Sequence, residues 1–181
     1  MRVIKCKKLL GTIIQDDLKW DQNTARLVKK ANKRMILLRK LAEFNAPIKD
    51  LIHIYILYIR SILEQSCVVW NSSLSEKNIQ DLERVQKCAV KIITKRNKMS
   101  YKKILLKLDL QDLQDRRNYL CENFAIKSLK NGSMNDLFTK NTKNHNMNTR
   151  HSEKFHICHS NTERLKKSAI PQMQRTLNQI L

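Results

Sequence analysis

Two places in this chain gather side chains able to do chemistry. The first is Asp16–Asp17, which follows the apolar pair Ile13–Ile14 in "GTIIQDDLKW". Paired carboxylates at a strand end are how two-metal phosphoryl-transfer enzymes hold their ions. Hard divalent cations take oxygen ligands, and the transfer needs charge neutralised on both sides of phosphorus. The second is "HSEKFHICH", which places His151, His156, Cys158 and His159 within nine residues, all of them zinc-competent side chains.

Neither place completes a site. The acidic pair lacks an aromatic-x-Asp-Asp phrase and a third carboxylate on a sheet able to carry it, so it reads as the turn leaving a strand. The histidine cluster matches no common finger spacing, its flank is loose and polar, and adjacent Cys158 and His159 rarely ligate one ion together. No Ser-His-Asp or Cys-His order is legible. Two glycines cannot build a glycine-rich phosphate loop, and Cys121 reads as a helix core residue. The expectation is a chain with no catalytic residues, no metal and no cofactor.

The stronger signal is charge. Against 16 Asp+Glu stand 36 Lys+Arg, a formal net charge of +20, and residues 1–50, 51–100, 101–150 and 151–181 are each net positive. Solubility needs far less. A folded body with that self-repulsion is best rationalised by a polyanionic partner, nucleic acid before membrane. The cations are also ordered. Arg26, Lys29, Lys33 and Lys40 recur on one face of a helical stretch, interrupted by Ile36. Arg84, Lys87, Lys91 and Lys95 line up on a second without interruption. Such ladders suit phosphate contacts, which need only charge and reach, and equally suit a solvated face of a basic protein.

The elements that position these stripes follow from apolar periodicity. Residues 2–6 and 9–15 are short and β-branched, a strand or small hairpin. Leu27, Val28, Ala31, Met35, Leu38 and Leu41 mark a helix from Asp21 to Phe44, stopped by "FNAP". Ile48 to about Gln65 is apolar nearly all round, apart from Lys49, His53, Arg60 and Glu64, and is expected to be a central helix covered by neighbours. Ser73-x-x-Glu76 has the capping-box form, opening a helix to about Lys95 with Leu82, Val85, Ala89 and Ile92 inside. Ser100 begins a short helix through Lys107. Another runs from Gln111 to Lys130, with Gly132 as its left-handed C′ residue. "TKNTKNHNMNTR" is polar and aperiodic. Pro171 opens a terminal helix carrying Met173, Leu177 and Ile180.

The fold expected is mainly α. A short N-terminal strand or hairpin precedes a basic bundle of about four helices, a loose linker and a short C-terminal helix. The boundaries are 1–20, 21–132, 133–150 and 151–181. Five well-separated cysteines without a C-x-x-C arrangement favour a reducing, intracellular compartment, nucleus or cytoplasm. No apolar run reaches the roughly 20 residues of a bilayer span, so no membrane association is expected.

Three phrases in order carry a resemblance. "KLLGTIIQDDLKWDQNTARLVKKANKRMILLRKL" resembles the YLG…I…L-x-W…R-x-x-x-L-R-x-L stretch of jockey-like LINE (non-LTR retrotransposon) reverse transcriptases. "IYILYIRSILEQSCVVWNSSLSEKNIQDLERVQKCAVKII" is similar to their Y…V-W…L-E-x-V-Q-x-x-A stretch, and "NTERLKKSAIPQMQRTLN" to their closing R…S-x-[IF]-P-x-x-x-R-x-x-N. It covers residues 8–130 and about 160–178. Leu9 stands where the family has Tyr, and Gln65–Ser66 replaces another.

The resemblance implies that residues 1–20 form a primer-grip-like strand and turn, and 21–132 a thumb-like bundle. It also implies that the metal-binding aspartates of the polymerase belong upstream, in fingers and palm outside these residues. Asp16 and Asp17 fall at a variable turn of that family. The implied role is to hold template–primer RNA or DNA by its backbone without catalysis, in association with the missing palm and fingers. Two alternatives stand beside it, a separate helical protein- or RNA-interaction module and a degenerate retroelement remnant.

Overall fold

The computed structural model describes residues 5–95, 99–132, 134–141, 153–157 and 159–180. In chain order the elements are strands β1 (Cys6–Leu9) and β2 (Thr12–Gln15), then helices α1 (Asp21–Glu43) and α2 (Ile48–Ile54). A π-helical segment (Tyr55–Arg60) leads into α3 (Ser61–Leu63). Then come α4 (Cys67–Trp70), α5 (Glu76–Ile93), α6 (Tyr101–Lys107), α7 (Leu113–Lys130), α8 (Glu163–Lys166) and α9 (Ala169–Ile180), with 3-10 turns at Asn71–Ser73 and Asn135–Leu137. The fold is mainly helical, opened by an antiparallel hairpin. It divides into two compact units. One comprises Met1–Ser66 and Leu74–Arg116, the other Cys67–Ser73 and Arg117–Leu181, so one division falls within α7.

In the first unit the hairpin pairs Cys6 with Gln15, Lys7 with Ile14, Lys8 with Ile13 and Leu9 with Thr12. Its two-residue loop, Leu10–Gly11, has both φ values positive, the pattern of a turn matched to strand twist. Gly11 sits at φ +83°, where a residue with a Cβ is strained, and a Cβ there would displace the end of the Gln65 side chain, whose Nε2 lies 2.6 Å away. Side chains fasten the hairpin to α1: Asn23 Oδ1 accepts from Ile13 N at 3.2 Å, and Gln15 Oε1 accepts from Gln22 N at 2.9 Å. The latter satisfies one of the orphan donors at the start of α1, whose N-cap Trp20 has no capping side chain.

α1 buries Leu27, Ala31, Met35 and Leu38, as its period requires. The Ile48–Leu63 helix buries Leu51, Tyr55, Ile59, Ile62 and Leu63, but it is not covered all round. Leu57 and Tyr58 are 70% and 47% exposed. Leu57 stands two residues from both Tyr55 and Ile59, on the opposite side of the helix. Leu51, Tyr55, Ile59 and Leu63 recur every four residues, which in an α-helix drifts about 40° per step. The wider i→i+5 turns absorb that drift and keep these four on one face.

α5 is capped by Ser75, whose Oγ accepts from Asn78 N at 3.3 Å. The Ser73–Glu76 capping box therefore does not form, because the helix starts at Glu76 itself. Between α5, α6, the start of α7 and the π segment lies a buried polar network. Tyr55 OH donates to Gln86 Oε1, and Gln86 Nε2 donates to Tyr101 OH and Gln111 O, each at 2.9 Å. Tyr101 OH donates to Glu83 Oε1, while Glu83 Oε2 accepts from Leu113 N at 3.2 Å. Each of these polar groups has a partner, which offsets the cost of burying it.

The second unit has its own core of Ala125, Phe138, Phe155, Met173 and Leu177. Phe138 and Phe155 meet edge-on at 5.9 Å between centroids. Asn178 holds both backbone groups of Phe155, accepting from its N at 2.7 Å and donating to its O at 3.0 Å. Arg117, fully buried, donates from Nε to Asn71 Oδ1 at 2.8 Å and lies 5.9 Å from the Trp70 ring centroid. Among the described residues no single helix is long and apolar enough to cross a membrane.

Candidate nucleic-acid interface

The acidic pair is a turn in the structure. Asp16 N donates to Lys5 O at 3.1 Å, and Asp16 Oδ1 accepts from Asp17 N at 2.9 Å. Asp17 Oδ1 takes Lys19 N at 3.1 Å, and its Oδ2 lies 3.4 Å from Lys19 Nζ. Among the described residues no group of three His, Cys, Asp or Glu side chains could hold a metal ion. Of the histidine cluster, His151 and Cys158 lie outside the described residues, while His156 is half-buried and His159 exposed. Cys121 is half-buried beside Cys67, and its thiol is pushed well up, first by the hydrogen bond with Cys67 and then by burial.

The two basic helices are neighbours and run the same way. At their starts Asn78 Nδ2 donates to Asp21 Oδ1 at 2.8 Å. Past their ends Lys95 Nζ donates to Asn45 Oδ1 at 2.6 Å. These contacts fix which flanks face each other. Each stripe lies away from the buried residues of its own helix, Leu27, Ala31 and Leu38 on α1 and Leu82, Val85 and Ala89 on α5.

They are not equivalent. Lys29, Lys33 and Lys40 are exposed and lie within roughly 40° of one another around α1. None has a hydrogen bond, ion pair or ring contact among the described residues. Arg26 is half-buried, shares Asn23 Oδ1 at 3.3 Å, and has its pKa lowered by burial. In the second stripe most of the cations are engaged. Arg84 pairs with Asp81 at 3.1 Å, Lys87 Nζ sits 5.2 Å from the centroid of the Tyr101 ring, and Lys95 is tied to Asn45. Only Lys91 on that stripe stands without a partner among the described residues.

The cause is local sequence. Between Asp21 and Glu43, α1 has seven Lys or Arg and no Asp or Glu, while α5 carries Glu76, Asp81 and Glu83. Lys30 and Arg39 on α1, outside the expected stripe, are exposed as well. The carboxylate-free run from Gln22 to Ala42 was the signal that could have found them. Tyr101, beneath Lys87, has its phenol pushed well up, first by burial and then by the hydrogen bond and charge of Glu83.

No known protein family, no curated protein and no solved structure matches this chain.

Proposed function

We propose that the chain binds nucleic acid through its phosphate backbone, with the lysine face of α1 supplying most of the contacts and Lys91 of α5 one more. The observation that carries this reading is the carboxylate-free run of α1 from Gln22 to Ala42, whose Lys29, Lys33 and Lys40 are exposed and without a partner among the described residues, on a body of net charge +20. A phosphate ladder makes contacts without sequence information, so affinity for unrelated sequences should be alike. Within the resemblance to LINE-type reverse transcriptases, the chain takes the place of a non-catalytic primer-grip and thumb region, and its ligand is a template–primer duplex. Palm and fingers would supply the metal-binding carboxylates, since Asp16 and Asp17 are committed to their turn.

The test is a salt titration of binding by the purified chain. Two duplexes or RNA–DNA hybrids of unrelated sequence should bind with closely similar affinity, and log K should fall steeply and linearly with log salt. Absence of binding to either probe at low salt overturns the reading.

A further inference from the structure

We infer that Arg34 and Tyr58 form a stacking platform for an unpaired nucleobase, at the edge of the α1 surface; this rests on the nucleic-acid reading above. Arg34 lies on the flank of α1 facing the π segment. Its guanidinium carbon is 4.5 Å from the Tyr58 ring centroid, and its Nη1 donates to the Tyr58 carbonyl at 3.0 Å. The cation–π contact and the hydrogen bond together fix the planar cation over the ring, so neither group must be ordered at the moment of binding.

The ring is also available. Tyr58 is 47% exposed and Leu57 beside it 70%, both off the face that packs Tyr55, Ile59 and Leu63. Such π segments recur at functional sites.

Charge selects the occupant. No Asp or Glu occurs from Gln22 to Ala42 on α1 or from Leu51 to Leu63 on the facing helix. The flank of α1 nearest Tyr58 carries Lys30 beside Arg34, and Lys33 follows on the adjoining face. An aromatic face in a cationic, carboxylate-free surround fits a base attached to its phosphates. It suits an acidic peptide less well, because the platform offers a flat π-face rather than an apolar pocket. Single-stranded nucleic acid is held in this way, by cations along the backbone and stacking on the bases. A base inside a duplex is already stacked and cannot use the platform, so the pair distinguishes an unpaired end or overhang from the duplex next to it.

The experiment uses the full chain with single-stranded oligonucleotides, RNA and DNA, carrying one 2-aminopurine, and with a blunt duplex as the second probe. Binding should quench the 2-aminopurine in the parent and in Tyr58→Phe, but not in Tyr58→Leu. Single-strand affinity of Tyr58→Leu should fall by roughly 5- to 100-fold, the worth of one base stack. Its salt slope and duplex affinity should stay those of the parent, since no phosphate contact is lost. Arg34→Gln should lose quenching with only about 0.7 off the single-strand slope. Equal quenching and affinity in Tyr58→Leu, with duplex binding intact, overturns the platform alone. Binding of neither probe by the parent overturns the nucleic-acid reading with it. Concentration-dependent self-association abolished by Tyr58→Leu, without quenching, would assign the ring to a second copy instead.

Discussion

α1 and α5 carry stripes of the same length and sign, yet only one is free to act. In the second stripe each cation but Lys91 already has a neighbour, Asp81 for Arg84, the Tyr101 ring for Lys87 and Asn45 for Lys95. On α1, Lys29, Lys33 and Lys40 have none among the described residues. The periodicity ranks them the other way, because Ile36 interrupts the first stripe while the second is unbroken. Spacing reports which face a cation occupies. It does not report whether a carboxylate three residues back has claimed it.

The largest effect expected from this difference is on affinity. Lys29→Glu, Lys33→Glu and Lys40→Glu together should weaken binding by more than roughly 10²-fold near 0.15 M salt, since loss of three phosphate contacts alone accounts for about that much. Helical content should hold, as these positions face away from the core.

A smaller effect concerns what holds the α5 cations in place. Tyr101→Phe removes the phenol that donates to Glu83 and accepts from Gln86, and should cost about 1–3 kcal/mol in chemical denaturation. It should also change the alkaline limb of stability. The Tyr101 phenol is raised above its ordinary 10.0, so the folded chain keeps a proton that the unfolded chain gives up. Its contribution is complete below pH 10.0 and is lost as pH climbs above it. The parent should therefore lose stability between pH 10 and 11 more steeply than Tyr101→Phe.

The smallest effect sharpens the comparison from the other side. Asp81→Asn releases Arg84, and at an exposed pair the stability change should stay within about 0.5 kcal/mol. Affinity for duplex should rise about fivefold at 0.15 M salt, the worth of one added contact. Unchanged affinity would show that Arg84 already reaches the ligand despite its partner.

Much of the fold was legible in local pattern. Asp21 and Pro47 bracket α1 and its exit, Gly132 takes φ 66° after α7, and Pro171 is buried near the start of α9. These follow from residues acting on their own turn. What was not legible depends on partners distant in sequence. The cap at Ser75 rather than Ser73 rests on where α5 begins. The π segment rests on the need to keep Leu51, Tyr55, Ile59 and Leu63 on one buried face. One boundary between the compact units falls inside α7, a helix continuous in sequence pattern, because Phe138, Phe155 and Met173 gather around its second half. At the candidate interface the eight cations were legible by type and face. Their engagement was not, and neither was the meeting of Arg34 with Tyr58 across 24 residues.

The central claim is that α1 supplies most of the phosphate contacts and α5 few. The most direct measurement is the log K against log salt slope on one mixed-sequence duplex for three proteins. These are the parent, a Lys29→Gln/Lys33→Gln/Lys40→Gln variant and an Arg84→Gln/Lys87→Gln/Lys91→Gln variant, all with parental helical content. The slope should become shallower by about 2.7 in the α1 variant and by about 0.9 in the α5 variant, where Lys91 alone stands free. Equal losses, or a larger loss in the α5 variant, would contradict the account.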